Sequence, residues 1–431
     1  MSQILICLSV SLMGGLLMSR PAKRLGLPAV TAYLITGLLL GPFCLGALGV
    51  PGLGFASLEQ VSGFSIITQA ALGFIAFAIG DEFRLEQHRS MGHRVSVVGI
   101  AQAVVTTAIV DLALVALHFL NPELISLSSA ITLGAIAAAT APAATLMVVR
   151  QYKADGPLTH LLLMVVAIDD AVGLVLFSAS FGVATAMESG VISVVSVLVE
   201  PVIEIVLSLA LGGLAGFLLH CAEQFFHSRS KRRSLSIGFV LLTVGLSMTD
   251  FEVGGVHIGF SLLLTCMMAG TVFCNICHTS QEIMERVDHW TAPLNVLFFV
   301  LSGAELDLGV LSKPLVLLIG MVYILFRSLG KYVGSYVSCA ATGCDDKIKK
   351  HLGVTLLPQA GVALGMALTV QSLQEGAVIR NVVLFSVLVY ELVGPTLTKR
   401  SLMAAGEIRP EGKTSARTVN APKKPVEIGK K

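Results

Sequence analysis

Leu72-Gly-Phe-Ile-Ala-Phe-Ala-Ile-Gly-Asp-Glu-Phe-Arg-Leu-Glu86 has a counterpart late in the same chain, Asn295-Val-Leu-Phe-Phe-Val-Leu-Ser-Gly-Ala-Glu-Leu-Asp-Leu-Gly309. Each is an apolar run that ends in glycine and acidic residues. Each is followed by one long apolar stretch, then by a stretch interrupted at proline (Pro142 in Thr-Ala-Pro-Ala-Ala, Pro358 in Leu-Pro-Gln-Ala-Gly361), then by a closing apolar stretch. A unit of four apolar segments is therefore present twice.

Composition identifies the solvent of those segments. Of 431 residues 55% are hydrophobic and only 13% charged, where soluble domains carry about 25% charged residues. The mean hydropathy of +0.84 is spread along nearly the whole chain, so the bilayer and not water surrounds most of it. Runs of about 20 apolar residues give thirteen expected spans, at roughly 3–19, 28–46, 62–80, 95–118, 128–149, 157–186, 196–220, 235–250, 257–275, 293–309, 314–341, 352–371 and 379–398. The first run, Ile4 to Met18, has no basic residue before it and no small-residue cleavage site after it. It reads as a membrane segment and not as a signal peptide.

The basic residues fix the expected orientation. Loops after odd-numbered spans hold 18 Lys and Arg, and loops after even-numbered spans hold only Lys313 and Arg380. The positive-inside rule then puts the N-terminus outside and the C-terminus in the cytoplasm. In this numbering spans 3 to 6 match spans 10 to 13. Equivalent elements are an odd number of spans apart, so the two units sit in the membrane with opposite orientation, as in many secondary transporters. Proline at corresponding depths predicts interrupted helices whose freed backbone groups must line protein or a watery cavity. Two ordinary proline kinks are the plainer alternative; their coincidence with the repeat favours the interruption.

Span 6 reads Leu161-Leu-Leu-Met-Val-Val-Ala-Ile-Asp-Asp-Ala-Val-Gly-Leu-Val-Leu-Phe177. At 1.5 Å rise per residue, Asp169 and Asp170 lie on the order of 20 Å from Pro157, near the bilayer centre. A carboxylate there costs roughly 2.5–3.5 kcal/mol on insertion scales, so an adjacent pair points to a function. Helix neighbours diverge by about 100°, so one carboxylate can face a cavity while the other faces another helix. A carboxylate that must lose its proton to take up a cation is an exchanger by construction. Span 11 adds Arg327 and Lys331 in Tyr323-Ile-Leu-Phe-Arg-Ser-Leu-Gly-Lys-Tyr-Val-Gly334. Four apart, they share a face and can meet the aspartates. One of them is expected to pair with Asp169; in the alternative, Lys331 snorkels to the interface and Arg327 alone pairs.

Five motifs, Ala139-Thr-Ala-Pro-Ala-Ala144, Ala167-Ile-Asp-Asp170, Phe298-Phe-Val-Leu-Ser-Gly-Ala-Glu-Leu-Asp307, Arg327-Ser-Leu-Gly-Lys331 and Leu357-Pro-Gln-Ala-Gly-Val-Ala-Leu-Gly365, together resemble the monovalent cation:proton antiporter superfamily. The resemblance runs over nearly all of residues 1–400 and is greatest to the bacterial Asp-Asp branch, the NapA-like and Kef-like proteins. It implies an all-α polytopic membrane protein of about 13 transmembrane helices in an NhaA-like fold, an inverted-topology repeat with two crossing broken helices. It also implies a homodimer in the inner (plasma) membrane that works as an elevator. Core transport helices at about 95–186 and 314–398 would slide against dimerisation and scaffold helices at about 1–46 and 196–275, with a disordered cytoplasmic tail at 401–431. By the same resemblance Asp170 binds the transported Na⁺ or proton, Asp169 is its neighbour, and Thr140 offers a hydroxyl or carbonyl from the broken helix. Lys331 and Arg327 are the candidate charge partners, and Pro142, Pro358 and Gly361 mark the breaks. Electrogenic relatives carry a Gly-Lys pattern, matched by Gly330-Lys331, and electroneutral ones an arginine, matched by Arg327. Val165 stands where the arginine type has an acid, which favours the electrogenic reading.

Other signals are set aside. Cys274-Asn-Ile-Cys277-His278 has the spacing of covalent haem attachment, but it falls at the expected cytoplasmic end of span 9, where such attachment does not occur. No haem and no other cofactor is expected; Na⁺ or K⁺ and H⁺ are substrates. The eight cysteines form no framework of pairs in polar loops and are expected as free thiols. There is no phosphate-binding loop and no nucleic-acid module. The rival readings are a K⁺/H⁺ antiporter of the same family, a cation channel, and a sensor that has lost transport. Channels build a pore around a symmetric axis, whereas one aspartate pair between two broken helices suits alternating access. The absence of a nucleotide-binding domain after residue 400, which the longer Kef-type potassium proteins carry, favours Na⁺ or Li⁺ over K⁺.

Overall fold

A computed structural model describes residues 2–50, 53–84, 92–189, 200–226, 228–249, 251–253, 256–306, 308–370 and 373–408. Of the disordered tail expected at 401–431, residues 401–405 instead complete the helix Gly376–Ala405, because Leu402 and Ala405 pack into the core; the part from residue 409 lies outside the described residues, as does Asp307 of the repeat. The helices in order are α1 Ser2–Arg24, α2 Ala29–Leu40, α3 Leu58–Ser62, α4 Ser65–Gly80, α5 Gly92–Leu120, α6 Leu127–Ile136, α7 Pro142–Tyr152, α8 Pro157–Ser189, α9 Glu200–Gln224, α10 Arg229–Ser247, α11 Leu262–Ile276, α12 Ser280–Ala304, α13 Pro314–Ala341, α14 Asp346–Thr355, α15 Gly361–Thr369 and α16 Gly376–Ala405. The fold is the expected helical membrane type. Among the described residues the exception is one antiparallel pair of three-residue strands, Phe251–Val253 with Val256–Ile258, in a segment whose β-branched valines and isoleucine favour extended backbone.

Among the described residues, seven segments are long and apolar enough to cross a bilayer unaided: Ile4–Arg24, Ala29–Leu48, Arg94–Leu120, Pro157–Glu188, Val202–Gln224, Pro314–Ala341 and Gly376–Ala405. Each falls on one of the thirteen spans read from sequence. The other six positions carry helices that are shorter, interrupted or partly polar. Leucine, phenylalanine and methionine side chains such as Leu17, Leu112, Phe119 and Leu325 point outward, which a hydrocarbon solvent accepts and water does not.

α12 starts well before the expected boundary at 293. Its first turns carry Glu282, Glu285, Arg286, Asp288 and His289, too polar to register as a span. They are nevertheless helical because Ile283, Met284 and Val287 form a buried stripe at helical spacing against a neighbouring core cluster.

Both proline-bearing spans are interrupted. α6 ends at Ile136 and α7 begins at Pro142, a residue suited to the first helical position because its missing N–H is not needed there. α14 ends at Thr355 and α15 begins at Gly361, with Pro358 between them. The breaks touch: the Ala141 N–H donates to the Pro358 carbonyl at 2.9 Å.

Helices elsewhere close on small residues. A Cβ added to Gly303 would strike the Leu34 carbonyl, and one on Gly37 the Val300 carbonyl, so α2 and α12 meet backbone to backbone, the packing that replaces the hydrophobic effect inside lipid. Gly303→Val is therefore expected to destabilise the purified protein by about 1–3 kcal/mol through overpacking. Gly245→Ala, where a Cβ meets open space, serves as the neutral control in the same thermal-unfolding measurement.

Candidate functional site

α8 brings Asp169 and Asp170 into the region of the breaks, and the two carboxylates have different surroundings. Asp169 is fully buried. Its Oδ2 accepts from Lys331 Nζ at 2.9 Å and from Thr140 Oγ1 at 2.6 Å, and its Oδ1 accepts from Gln102 Nε2. Asp170, 9% exposed, has an Oδ1 that is buried and accepts no hydrogen bond. The 100° between helix neighbours thus separates a fully satisfied carboxylate from one with an open oxygen.

The two cations are also divided. Lys331 of α13 donates to Asp169 Oδ2, to Gln102 Oε1 at 3.0 Å, to the Ala138 carbonyl at 2.6 Å and to Thr140 Oγ1 at 2.9 Å. It is fully buried and does not snorkel. Arg327 pairs with neither aspartate. Its Nε donates to the Ala137 carbonyl at 3.0 Å, Nη2 to Ala139 at 2.7 Å and Nη1 to Leu357 at 2.8 Å, while the guanidinium lies over the Tyr390 ring, 4.5 Å from its centre. The sequence left open which of the two cations would meet Asp169, and the structure places Lys331 there. Arg327 instead binds carbonyls freed at both breaks, which are the negative ends of α6 and α14.

Thr140 lies in the first break and reaches the ion pair. Pro142 opens α7, Pro358 accepts the hydrogen bond that joins the breaks, and Gly361 opens α15. Cys274 and Cys277 are buried thiols outside any disulfide, and the Cys274 thiol donates to the Thr271 carbonyl of its own helix at 3.2 Å.

Sequence reasoning missed Gln102, a polar residue within an otherwise apolar run of span 4; its position was as informative as that of the aspartates, but it carries no charge. It also missed Gln359, whose Nε2 donates to the Ile136 carbonyl at 3.1 Å and to Tyr323 Oη at 2.9 Å, and whose Oε1 accepts from Ser386 at 2.9 Å. Two further acids stand apart from the cluster. Asp111 in α5 rests against Gly134, where an added Cβ would strike its carboxylate. Glu391 in α16 is 4% exposed. Asp111 Oδ1 and Glu391 Oε2 each lack a hydrogen-bond partner.

A family described as sodium/hydrogen exchanger, transmembrane, matches residues 8–404. The Na⁺/H⁺ antiporter NhaS4 of Synechocystis sp. is 24% identical over 362 residues, covering 82% of this chain and 84% of that protein. Two structures of the sodium proton antiporter MjNhaP1 from Methanocaldococcus jannaschii, one determined at pH 8 and one an electron-microscopy map, superpose with TM-scores of 0.67 and 0.70. Each is 18% identical and covers 94% of this chain and 98% of the other, so the two chains share a fold. The chain belongs to the sodium/hydrogen exchanger family and is a multi-pass membrane transporter, not an enzyme.

Removing one partner of a buried ion pair strands the other. Lys331→Met is expected to destabilise the protein by about 3–5 kcal/mol, and Lys331→Met with Asp169→Asn to recover most of that loss. Thermal unfolding of wild type, both single variants and the double variant gives the coupling; simple additivity would show that the contact carries no energy.

Proposed function

We propose that this member of the sodium/hydrogen exchanger family is a secondary antiporter that exchanges Na⁺, or Li⁺, for H⁺, with Asp170 as the group that carries the cation and the proton in turn. The observation that supports it most is the contrast within the aspartate pair. Asp169 is matched in charge by Lys331 and in hydrogen bonds by Thr140 and Gln102. Asp170, beside it, has a buried oxygen with no donor. A bare carboxylate oxygen inside a membrane protein is expensive, and a proton or a cation relieves it. Since either serves, each displaces the other, and exchange follows.

Sodium is preferred to potassium because the relative and the fold neighbours are described as sodium antiporters. The mechanism we favour is an elevator. Helices α5–α8 and α13–α16 form a transport core that slides against α1, α2 and α9–α11 in a homodimer, with the N-terminus outside and the C-terminus in the cytoplasm of a plasma-membrane protein. Two cavities support a boundary of this kind. One, of about 260 Å³, is lined by Phe77, Asp81, Arg150, Glu285 and Asp288. The other, of about 480 Å³, is lined by Tyr33, Arg150, Gln151, Asp288 and Asn295. Both lie between α7 and helices outside the proposed core, and Asp170 lines neither.

The test is dequenching of a pH dye in proteoliposomes on addition of Na⁺, Li⁺ or K⁺. The wild type is expected to respond to Na⁺ and Li⁺. Asp170→Asn, folded but unable to cycle a proton, is expected to give no response, and normal exchange by that variant would remove Asp170 from the carrier role. Asp169→Asn is expected to be slower and to carry less net charge per turnover.

A further inference from the structure

Gln102 stands where α5 and α13 approach closely. A Cβ on Gly334 would press on the Gln102 backbone, and one on Gly330 on Thr106, one turn further along α5. From this position the fully buried amide contacts both members of the ion pair. Oε1 accepts from Lys331 Nζ at 3.0 Å, while Nε2 donates to Asp169 Oδ1 and to the Gly99 carbonyl, the latter at 3.1 Å. Reversing the amide would set its oxygen against two acceptors and its NH₂ against an ammonium, so the contacts themselves fix its orientation.

The two oxygens of Asp169 are therefore held by different groups. Lys331 and Thr140 both act on Oδ2, and Gln102 acts on Oδ1. Without that amide, Oδ1 would resemble the open Oδ1 of Asp170 next to it, and the site would hold two carboxylate oxygens ready for a proton or a cation. We propose that Gln102 is a positioning residue which caps Asp169 Oδ1, keeps Asp169 committed to Lys331, and so leaves Asp170 alone to trade proton for cation. This rests on Asp170 being the carrier.

The experiment compares Gln102→Leu and Gln102→Glu with wild type in proteoliposomes. It records the pH of half-maximal Na⁺-driven proton exchange together with the thermal midpoint of each purified protein. Leucine removes both contacts. Glutamate is nearly isosteric and keeps an acceptor for Lys331, but puts a second acid against Asp169 Oδ1. A donor withdrawn from a carboxylate favours its protonated form, so a second proton must then leave before the site can work. The half-maximal pH is expected to move alkaline by about one unit in Gln102→Leu, the scale of a lost hydrogen bond to a buried charge, and further in Gln102→Glu. A packing role alone would lower the rate and the thermal midpoint in both variants and leave the half-maximal pH in place, and that result overturns the proposal. If Gln102→Leu fails to fold, the isosteric Gln102→Glu decides by the same shift. Absence of exchange by the wild type would instead overturn the carrier reading, and this inference with it.

Discussion

Interrupting a helix in the middle of a bilayer strands carbonyls and N–H groups where no water can take them. Here two interruptions are placed against each other, so that much of what each strands is taken up by the other or by one helix. The Ala141 N–H is satisfied by the Pro358 carbonyl. The Ala137, Ala139 and Leu357 carbonyls go to Arg327, and Ala138 goes to Lys331. Gln359 takes Ile136. Neither break could exist alone in this environment, and the aspartates hold their positions because the breaks do.

The charges at this crossing nearly cancel. Each freed helix C-terminus is worth roughly half a negative charge, and Arg327 bridges both, so one guanidinium meets about one unit of dipole charge. Lys331 and Asp169 neutralise each other directly. What is left is Asp170, the one carboxylate of the four charged side chains with no assigned counter-charge. In the proposed exchange, a mobile cation or proton completes its charge. Subtraction over the whole cluster thus supports the proposal that Asp170 is the exchangeable group, as does its own open oxygen.

Much of this was legible in the sequence because it was written in expensive residues. Two acids and two cations in apolar spans, and two prolines at corresponding depths, each cost enough to demand a reason. They marked α8, α13 and both breaks without any structural help. Gln102, Gln359 and Tyr323 were not found, since an uncharged polar side chain in a membrane helix is commonplace and only its partners make it special. Asp111 and Glu391 were acids in plain view, yet each stands alone in its span, outside the motifs that drew attention. The start of α12 was missed for a different reason. Its helix is held by packing of one buried stripe, and that depends on neighbours far away in sequence.

The same polar network bears on how the molecule could move. Lys331 joins α13 to α5, to the first break and to α8; Arg327 joins it to both breaks; Gln359 adds α6 and α16. The helices α5, α6, α8, α13 and α16 and the two breaks are thus joined by buried hydrogen bonds, which in low dielectric are stiff and costly to break. The polar contacts that tie this group to α2 and α12, beside the apolar cluster they share, are of another kind. Arg150 meets Asp288, Gln151 accepts from the Ala29 N–H at 2.7 Å, and Lys399 donates to the Gly26 carbonyl at 2.6 Å. They involve partly exposed side chains, worth little each in water, and Tyr152, under the Lys399 ammonium, places two of them at one end of α7 beside the third. The body held together by buried hydrogen bonds thus meets its neighbour through non-directional apolar packing and a few partly exposed polar contacts gathered at one end. In the proposed elevator, the cluster around Asp169 and Asp170, which lies wholly inside the hydrogen-bonded body, would travel intact.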